Sequence, residues 1–298
     1  MPAWKRAPMT GASQRLFLGV DGGGTGCRAR IETVEGAVLG QGLAGPAATR
    51  FGIDASWAAI LTAAKGAIAE AGLGPGEVGR MAAAVGLAGL GRKGALNEHE
   101  AKAHPFASIV FATDGLIACL GAHGGKDGGI VICGTGSAGL ARVDGRDLRV
   151  GGYGFPISDE GSGADLGLNA VRLALRAYDG RHETSALMHA VMARFHGDPT
   201  EAVAFMDRAT ATDYATFAPL VLRHADQGDP VGRRIVQNAA EQIDGLVRAL
   251  IERGAPRISL VGGLSSAIEA WLAPDVRRRL SLALGDPLSG ALFMAGRR

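Results

Sequence analysis

The chain has 298 residues, so either half is long enough to bury a hydrophobic core of its own. Its formal net charge is only +2 and no block of Lys or Arg stands out, which excludes the basic surface typical of nucleic-acid-binding proteins. No apolar stretch reaches the roughly 18–20 residues that a membrane span requires. The composition therefore indicates a globular protein with neither a nucleic-acid nor a membrane partner.

Cysteine usage and the N-terminal segment bear on the cellular compartment. Residues 1–14 lack the apolar run of a signal peptide, and we expect a disordered extension there. Cys27, Cys119 and Cys133 are an odd number without metal-ligand spacing, which favours reduced, buried thiols. Together these features predict a cytoplasmic protein.

The two halves of the chain open with the same pattern of elements. In the first half, strands are predicted at residues 16–20, 27–33 and 37–42. In the second half, they are predicted at residues 129–133, 138–143 and 148–150. In both, a turn of Gly and Thr follows the first strand. We interpret the repeat as a duplication with one copy in each of two domains.

The remaining elements mix strands and helices. Asp54 is a suitable N-cap for an Ala-rich helix at 55–71, which Gly72 ends. Further strands are predicted at 81–87, 107–112 and 257–261, and helices at 164–178, 184–195, 214–227, 230–253 and 287–295. This mixture predicts an α/β fold with domains at 15–125 and 126–285, and a C-terminal helix at about 286–298 that packs back on the first domain.

The turn after the first strand, Asp21-Gly22-Gly23-Gly24-Thr25, has the composition of a phosphate-binding loop. Its three glycines expose backbone N–H groups to phosphate oxygens, and the threonine adds a hydroxyl donor. Asp21 is suited to holding Mg²⁺ through its water shell. No Gly-Lys-Ser/Thr sequence follows, which argues against a Walker-type loop, and a plain hairpin turn is the alternative.

A second loop of this kind, Gly134-Thr135-Gly136-Ser137, follows the first strand of the second half. Two such loops on duplicated halves can grip one triphosphate from both sides of a cleft. Between them, Asp114 follows an apolar strand and opens a helical run. Its carboxylate can accept a proton from an attacking hydroxyl, and an ordinary helix N-cap is the alternative interpretation.

Two further glycine-rich segments complete the candidate sites. The loop at residues 151–163 carries Asp159 and Glu160, which can bind sugar hydroxyls, while capping of the next helix is the alternative for one of them. Gly262 and Gly263 end the last strand and open a helix. That geometry lets adenine lie against the backbone, and a simple strand-to-helix turn is the alternative.

The order of these motifs resembles the BadF/BadG/BcrA/BcrD ATPase family, and within it the N-acetylglucosamine and glucosamine kinases. The resemblance covers residues 16–296. It implies two ribonuclease-H-like domains of the actin-like ATPase and sugar kinase type, with ATP, Mg²⁺ and an amino sugar in an interdomain cleft. It also implies ATP-dependent phosphorylation of the sugar 6-hydroxyl. Relatives of this kind are often homodimers.

This resemblance implies a role for each candidate residue. Asp114 matches the catalytic base, and Asp159 matches a carboxylate that binds sugar hydroxyls. The residues that match the ATP-binding segments are Gly22, Gly23, Gly24, Thr25, Gly134, Thr135, Gly136, Ser137, Gly262 and Gly263. The positions implied to contact the sugar are Asp114, Gly152, Tyr153, Asp159 and Ala48.

The sugar-facing positions depart from the family pattern. Amino-sugar kinases commonly have Asn where this chain has Ala48, and Trp where it has Tyr153 and Asp165. The phosphate-binding motifs are intact. The sequence therefore predicts a kinase and leaves open whether its amino sugar is free, N-acetylated or of the muramic type.

Three alternatives stay open. One is a non-kinase ATPase of the same family, such as the activator of 2-hydroxyacyl-CoA dehydratase, which holds an iron–sulfur cluster with cysteines from each subunit. Cys119 and Cys133 fall in a predicted helix and a predicted buried strand, where neither is an available ligand. A second is a sugar-sensing regulator, whose DNA-binding module 14 residues are too few to form. The third is a degenerate kinase that binds its ligands without turnover.

Overall fold

The computed structural model describes residues 15–297, so the extension predicted at residues 1–14 lies outside the described residues. The described chain forms two compact units. Unit 1 contains the residues up to Lys126 together with the C-terminal segment that begins at Leu284, and unit 2 runs from Asp127 to Ala283. Unit 2 is therefore an insertion in the chain of unit 1.

Unit 1 is built on a five-stranded sheet in the order β3-β2-β1-β4-β5. The strands are β1 (Leu16–Gly22), β2 (Cys27–Thr33), β3 (Val38–Ala44), β4 (Ala82–Leu87) and β5 (Ser108–Thr113). Strands β1, β2 and β3 are antiparallel, whereas β1, β4 and β5 run parallel. The parallel strands bring their carboxyl ends to one edge of the sheet, which is where sheets of this kind bind ligands.

Four helices follow the strands of unit 1 along the chain. They are α1 (Ile53–Ala71), α2 (Pro75–Val78), α3 (Ala95–Glu100) and α4 (Asp114–Ala122). Helix α1 covers one face of the sheet, with Leu18, Ile31 and Ile60 in the core between them. A methyl group at Gly42 would lie 2.6 Å from the backbone nitrogen of Ala67, so glycine lets α1 approach β3 closely.

Unit 2 contains a four-stranded sheet in the order β8-β7-β6-β9. The strands are β6 (Gly128–Cys133), β7 (Ser137–Val143), β8 (Arg146–Val150) and β9 (Ile258–Val261). The first three are antiparallel, and β9 runs parallel to β6. This order matches β3-β2-β1-β4 of unit 1, so the repeat predicted from the sequence is present in both sheets.

Most of the remaining helices belong to unit 2. They are α5 (Gly163–Tyr178), α6 (Ala186–Ala193), α7 (Pro199–Met206), α8 (Ala211–Ala215), α9 (Ala218–Asp226), α10 (Pro230–Glu252), α11 (Ser265–Glu269) and α12 (Pro274–Arg277). Along α10, Val236, Ile243, Val247 and Leu250 recur at helical spacing and are fully buried in the core of the unit.

The last helix, α13 (Pro287–Met294), returns to unit 1 and covers the face of the sheet opposite α1. Its Leu292 packs with Phe17 and Ala82. A methyl group at Gly19 would lie 2.8 Å from a backbone oxygen of α13, so the helix rests almost directly on β1. None of the described helices is both long and apolar enough to cross a membrane.

Two local predictions were wrong. The N-cap of α1 is Gly52, and Asp54 lies in the first turn, where its carboxylate is 2.5 Å from Nζ of Lys102. The single helix predicted at 214–227 is two helices, α8 and α9, because Pro219 has no N–H to continue the first one. Helix α7, whose Asp198 cap and Pro at the first position are typical start signals, was not predicted.

Candidate active site

The candidate residues of unit 1 lie at the edge of the sheet where β1, β4 and β5 end. Gly22, Leu87 and Thr113 are in register across the three strands. Neighbouring strands lie about 4.8 Å apart, so the ends of β1 and β5 are separated by roughly 10 Å. Asp21 and Asp114, one residue before and one after this row, therefore share a short stretch of the sheet edge.

The first glycine loop (residues 22–26) connects β1 to β2 in a tight turn. The N–H of Gly23 donates to the carbonyl oxygen of Gly26 at 2.8 Å, which closes the turn. A methyl group at Gly22 would lie 2.6 Å from Cδ2 of Leu87, so only glycine fits there without a shift. Thr25 is exposed at the tip of the loop. This turn presents a small concave stretch of backbone of the kind that binds anions.

Asp21 is held by an arginine that the sequence analysis did not single out. Nη2 of Arg28 lies 2.6 Å from Oδ2 of Asp21, and the Asp21 side chain is 16% exposed. The two residues are cross-strand partners in the β1–β2 hairpin, so the hairpin register was the signal that could have found the pair. Asp21 offers only oxygen ligands, and it fits Mg²⁺, which binds through carboxylates while keeping several of its waters.

Asp114 is the first residue of α4, directly after β5. Thr113 is the N-cap: its Oγ1 accepts the N–H of Leu116 at 3.1 Å. The alternative reading of Asp114 as the N-cap is therefore wrong. One oxygen of the exposed Asp114 carboxylate accepts the N–H of Gly115 at 3.0 Å. The cap is thus supplied by Thr113, and the carboxylate stands at the sheet edge beside the first glycine loop.

A short turn of 3-10 helix, Thr49–Phe51, lies beside the first glycine loop. The carbonyl oxygen of Gly23 accepts the N–H groups of Ala47 and Ala48 at 3.0 and 3.1 Å. Ala48 is the N-cap residue of the turn and its side chain is nearly buried. A sugar contact at Ala48 stays a prediction. The sequence analysis did not single out Arg50, an exposed residue of this turn, because no sequence motif includes it.

The second glycine loop (residues 134–137) follows β6 in unit 2. The N–H of Gly134 donates to the carbonyl oxygen of Gly136 at 3.0 Å, so this loop also closes by a backbone hydrogen bond, over one residue fewer than the first loop. The carbonyl oxygens of Gly134 and Thr135 accept the first two N–H groups of α5 at 2.8 and 3.1 Å. Buried Ser137 donates through Oγ to the carbonyl oxygen of Glu160 at 2.7 Å. Thr135 is the exposed residue of this loop.

Asp159 packs directly against the second glycine loop. A methyl group at Gly136 would lie 2.6 Å from Oδ2 of Asp159, so the glycine admits this carboxylate. Oδ1 accepts the N–H of Gly154 at 3.1 Å, and the Asp159 backbone is in the left-handed region with φ of 68°. The structure therefore brings Asp159 and the second glycine loop together.

Tyr153 and Gly152 lie at the other end of the same segment. A methyl group at Gly152 would lie 2.5 Å from the Cβ of Ala138 on β7. The Tyr153 ring is 76% exposed beneath the guanidinium of Arg149, whose Cζ is 5.2 Å from the ring centre. Together with Glu160 and residues of α10, it lines a pocket of about 310 Å³ within unit 2.

Asp165 has a structural role in this segment. Its Oδ2 accepts the N–H of Gly161 at 2.9 Å and its Oδ1 accepts Nδ2 of Asn169 at 2.8 Å. Burial raises the pKa of the Asp165 carboxyl above its usual value, although these hydrogen bonds oppose the shift. A carboxylate at this position therefore ties the 151–163 loop to α5.

Gly262 and Gly263 follow β9 next to the second glycine loop. Gly262 has a φ of 105°, and a methyl group there would meet the carbonyl group of Cys133 at the end of β6. The same carbonyl oxygen accepts the N–H of Leu264 at 2.9 Å. A methyl group at Gly263 would meet no atom within 4 Å, so this glycine presents open backbone. Unit 2 thus gathers the second glycine loop, Asp159 and these two glycines around the ends of β6 and β9.

The three cysteines are buried and unpaired with one another. Burial, and after it the nearby Asp21 carboxylate, raises the pKa of the Cys27 thiol to about 12, and burial alone raises that of Cys133 to about 12. Cys119 is buried in α4. Within residues 15–297 no group of three or more His, Cys, Asp or Glu side chains is arranged to hold a metal ion. These surroundings do not favour the iron–sulfur alternative.

Comparisons with known proteins give one family and several named relatives. The model of the BadF/BadG/BcrA/BcrD ATPase family matches residues 18–294. The chain is 38% identical to the glucosamine kinase GspK of Vibrio cholerae, over 94% of this chain and 96% of that protein. It is 29% identical to an N-acetylmuramic acid/N-acetylglucosamine kinase of Clostridium acetobutylicum, over 80% of each chain.

A solved structure supports the fold. The crystal structure of a candidate N-acetylglucosamine kinase from Chromobacterium violaceum superimposes with a TM-score of 0.84 at 40% identity, and the match covers 94% of this chain and 99% of that one. The predicted two-domain α/β fold of the sugar kinase type is confirmed by this likeness.

Proposed function

Because the chain belongs to the BadF/BadG/BcrA/BcrD ATPase family, we propose that it is an amino-sugar kinase, which transfers the γ-phosphoryl group of ATP to the 6-hydroxyl of glucosamine or N-acetylglucosamine. The observation that carries the proposal is the sheet edge of unit 1. There a glycine loop suited to phosphate and the exposed carboxylate of Asp114 stand within roughly two strand spacings of each other.

Asp114 is the proposed general base. Its carboxylate accepts the proton of the sugar 6-hydroxyl while the hydroxyl oxygen forms a bond to the γ-phosphorus. The bond between the γ-phosphorus and the bridging oxygen breaks, and its electron pair leaves with ADP. Since Thr113 caps α4, Asp114 is not needed for the cap, and its exposed carboxylate stands at the sheet edge.

The glycine loops are proposed to hold the phosphate chain. Gly22, Gly23, Gly24 and Thr25 supply backbone and hydroxyl donors from unit 1, and the segment 134–137 supplies them from unit 2. Asp21 would hold Mg²⁺ through water. That ion supplies positive charge next to the phosphates.

The remaining candidates of unit 2 are proposed to bind the adenosine and the sugar. Gly262 and Gly263 offer open backbone on which adenine can lie. Asp159 accepts hydrogen bonds from sugar hydroxyls, and Gly152 and Tyr153 contact the sugar ring. Glucosamine and N-acetylglucosamine both stay candidate substrates, because a glucosamine kinase is 38% identical to the chain and a candidate N-acetylglucosamine kinase is 40% identical. A cytoplasmic location and a homodimer stay predictions.

The test is an ADP-release assay with MgATP and, in turn, glucosamine, N-acetylglucosamine, N-acetylmannosamine, N-acetylmuramic acid and glucose. We expect selective turnover of an amino sugar. Asp114→Asn should lower kcat by about 10²–10⁴-fold while ATP affinity stays unchanged, because general-base catalysis contributes that much. The matched control is Asp54→Asn, which alters a carboxylate in the first turn of α1 and should leave kcat unchanged.

Three results would contradict the proposal. Retained kcat in the Asp114→Asn variant would remove Asp114 from the mechanism. ATP hydrolysis that no sugar stimulates would instead favour the non-kinase ATPase, and ATP binding without any turnover would favour the degenerate kinase.

A further inference from the structure

Arg50 places a positive charge next to the first glycine loop. A methyl group at Gly24 would lie 3.1 Å from Nη2 and 3.7 Å from Cζ of Arg50, so the guanidinium stands over the glycine in the middle of the loop. Gly24 belongs to the segment whose N–H groups are proposed to bind phosphate oxygens. An anion seated on that backbone would therefore meet the Arg50 side chain.

The backbone that carries Arg50 is fixed to the loop and to the neighbouring strand end. The Gly23 carbonyl oxygen binds the two N–H groups just before the turn, and the N–H of Thr49 donates to the carbonyl oxygen of Ala88 at 3.0 Å. From helix α1, the buried hydroxyl of Ser56 donates to the carbonyl oxygen of Ala47 at 2.8 Å. These bonds hold the turn in a defined position relative to the loop.

The surroundings of the Arg50 side chain favour the binding of an anion. Within residues 15–297 no Asp or Glu pairs with it, whereas Arg28, the other arginine beside the loop, is occupied by Asp21. Its guanidinium carbon lies 4.9 Å from the centre of the exposed Phe51 ring. Stacking of this kind orients a guanidinium while leaving its N–H groups available to a ligand.

We propose that Arg50 is a further catalytic residue, which contacts the phosphate chain of ATP above Gly24 and stabilises the negative charge on the γ-phosphoryl group during transfer. This inference rests on the proposed kinase function. Arg50 forms and breaks no covalent bond. The sugar oxygen bonds to the γ-phosphorus, ADP leaves with the electron pair, Asp114 takes the proton, and Arg50 contributes hydrogen bonds and charge.

The experiment compares Arg50→Gln, which removes the charge, and Arg50→Lys, which keeps it without the planar fork, in the full chain. The matched control is Arg233→Gln in unit 2, where an arginine stacks on Trp271 in the same way, with Cζ 5.9 Å from the ring centre. For each variant, kcat and both KM values are measured with the preferred sugar. Calorimetry measures binding of ADP and of a non-hydrolysable ATP analogue.

We expect Arg50→Gln to lower kcat by about 10²–10³-fold, the usual effect of losing one donor to a developing anion. Binding of the ATP analogue should weaken while ADP binding is unchanged, because ADP has no γ-phosphate. Arg50→Lys should recover part of the loss, and Arg233→Gln should behave as the unmodified chain.

An unchanged kcat in Arg50→Gln would overturn the proposal. So would a change confined to the KM of the sugar, which would make Arg50 a sugar contact. If the unmodified chain phosphorylates no amino sugar, the proposed function fails. A comparison of the binding affinities for the ATP analogue and for ADP then still decides whether Arg50 contacts the γ-phosphate.

Discussion

Replacing Gly290 by alanine tests whether the close packing of α13 against α4, the helix that begins at Asp114, stabilises the folded protein. A methyl group at Gly290 would overlap the carbonyl oxygen of Ile117 and lie 2.7 Å from the nitrogen of Gly121, inside the 3.0 Å that real methyl groups keep. Both clashes are with backbone, so the helices must separate. Overpacking of this kind costs about 1–3 kcal/mol, and the better helix propensity of alanine returns only about 0.5–1 kcal/mol.

With both contributions at mid-range, the net expectation is a loss of about 1 kcal/mol, or a fall in Tm of a few degrees. Thermal unfolding followed by circular dichroism measures it. The matched control is Gly245→Ala in α10, where a methyl group would meet nothing within 4 Å, and there the substitution should raise Tm. A Gly290→Ala variant as stable as the unmodified chain, or a Tm lowered equally by both substitutions, would refute the reasoning.

Two other predictions concern buried carboxylates. Glu32 is buried between Arg30 and Arg297, with N···O distances of 2.9 and 3.1 Å. The Nε–H groups of both arginines miss hydrogen-bond geometry to Glu32, so Glu32→Gln should cost about 3 kcal/mol, the lower end for a broken buried pair, measured by urea unfolding. Asp229 accepts N–H groups from the start of α10 and from Leu187. Burial acts to raise its pKa, but these hydrogen bonds and that from Ser185 outweigh it and lower the pKa. The stability that the Asp229 carboxylate contributes to the folded protein is therefore present above the usual Asp pKa range and is lost as the pH falls through the lowered pKa. The loss of unfolding free energy in Asp229→Asn should therefore shrink as the pH falls. A loss that grew on acidification would contradict this account.

Sequence reasoning found the strands of both sheets because their signals are local. Apolar runs that end at glycine turns define β1 and β6, and the repeated order of motifs gave the same topology in each unit. It failed where a tertiary contact decides the outcome. Asp54 has the chemistry of a cap, yet α1 begins two residues earlier than predicted, at Ile53, and places Asp54 in the first turn. The interruption at Pro219 was readable, but the apolar pattern on either side of it predicted one continuous helix.

The residues of the candidate site fall into the same two groups, those that a local pattern in the sequence marks and those that it does not. Asp21 lies at the end of β1, and Asp114 and the glycine loops lie where strands end, so a pattern along the chain could find them. Arg28 reaches Asp21 through the hairpin register, a signal that the sequence analysis did not use, and Arg50 reaches the first glycine loop from a 3-10 turn that no sequence motif marks.

The insertion of unit 2 within unit 1 has a consequence for synthesis on the ribosome. The five strands of unit 1 are complete once Thr113 has been made, but α13, which covers Phe17 and Ala82, follows only after the 157 residues from Asp127 to Ala283. At about 5–20 residues per second, the part of that face around Phe17 and Ala82 stays uncovered for roughly 10–30 s in every nascent chain. Unit 2 can therefore fold as a whole while its host is unfinished. The apolar strip on β1 and β4 is then the surface through which an incomplete chain would associate with another, or be recognised by a chaperone.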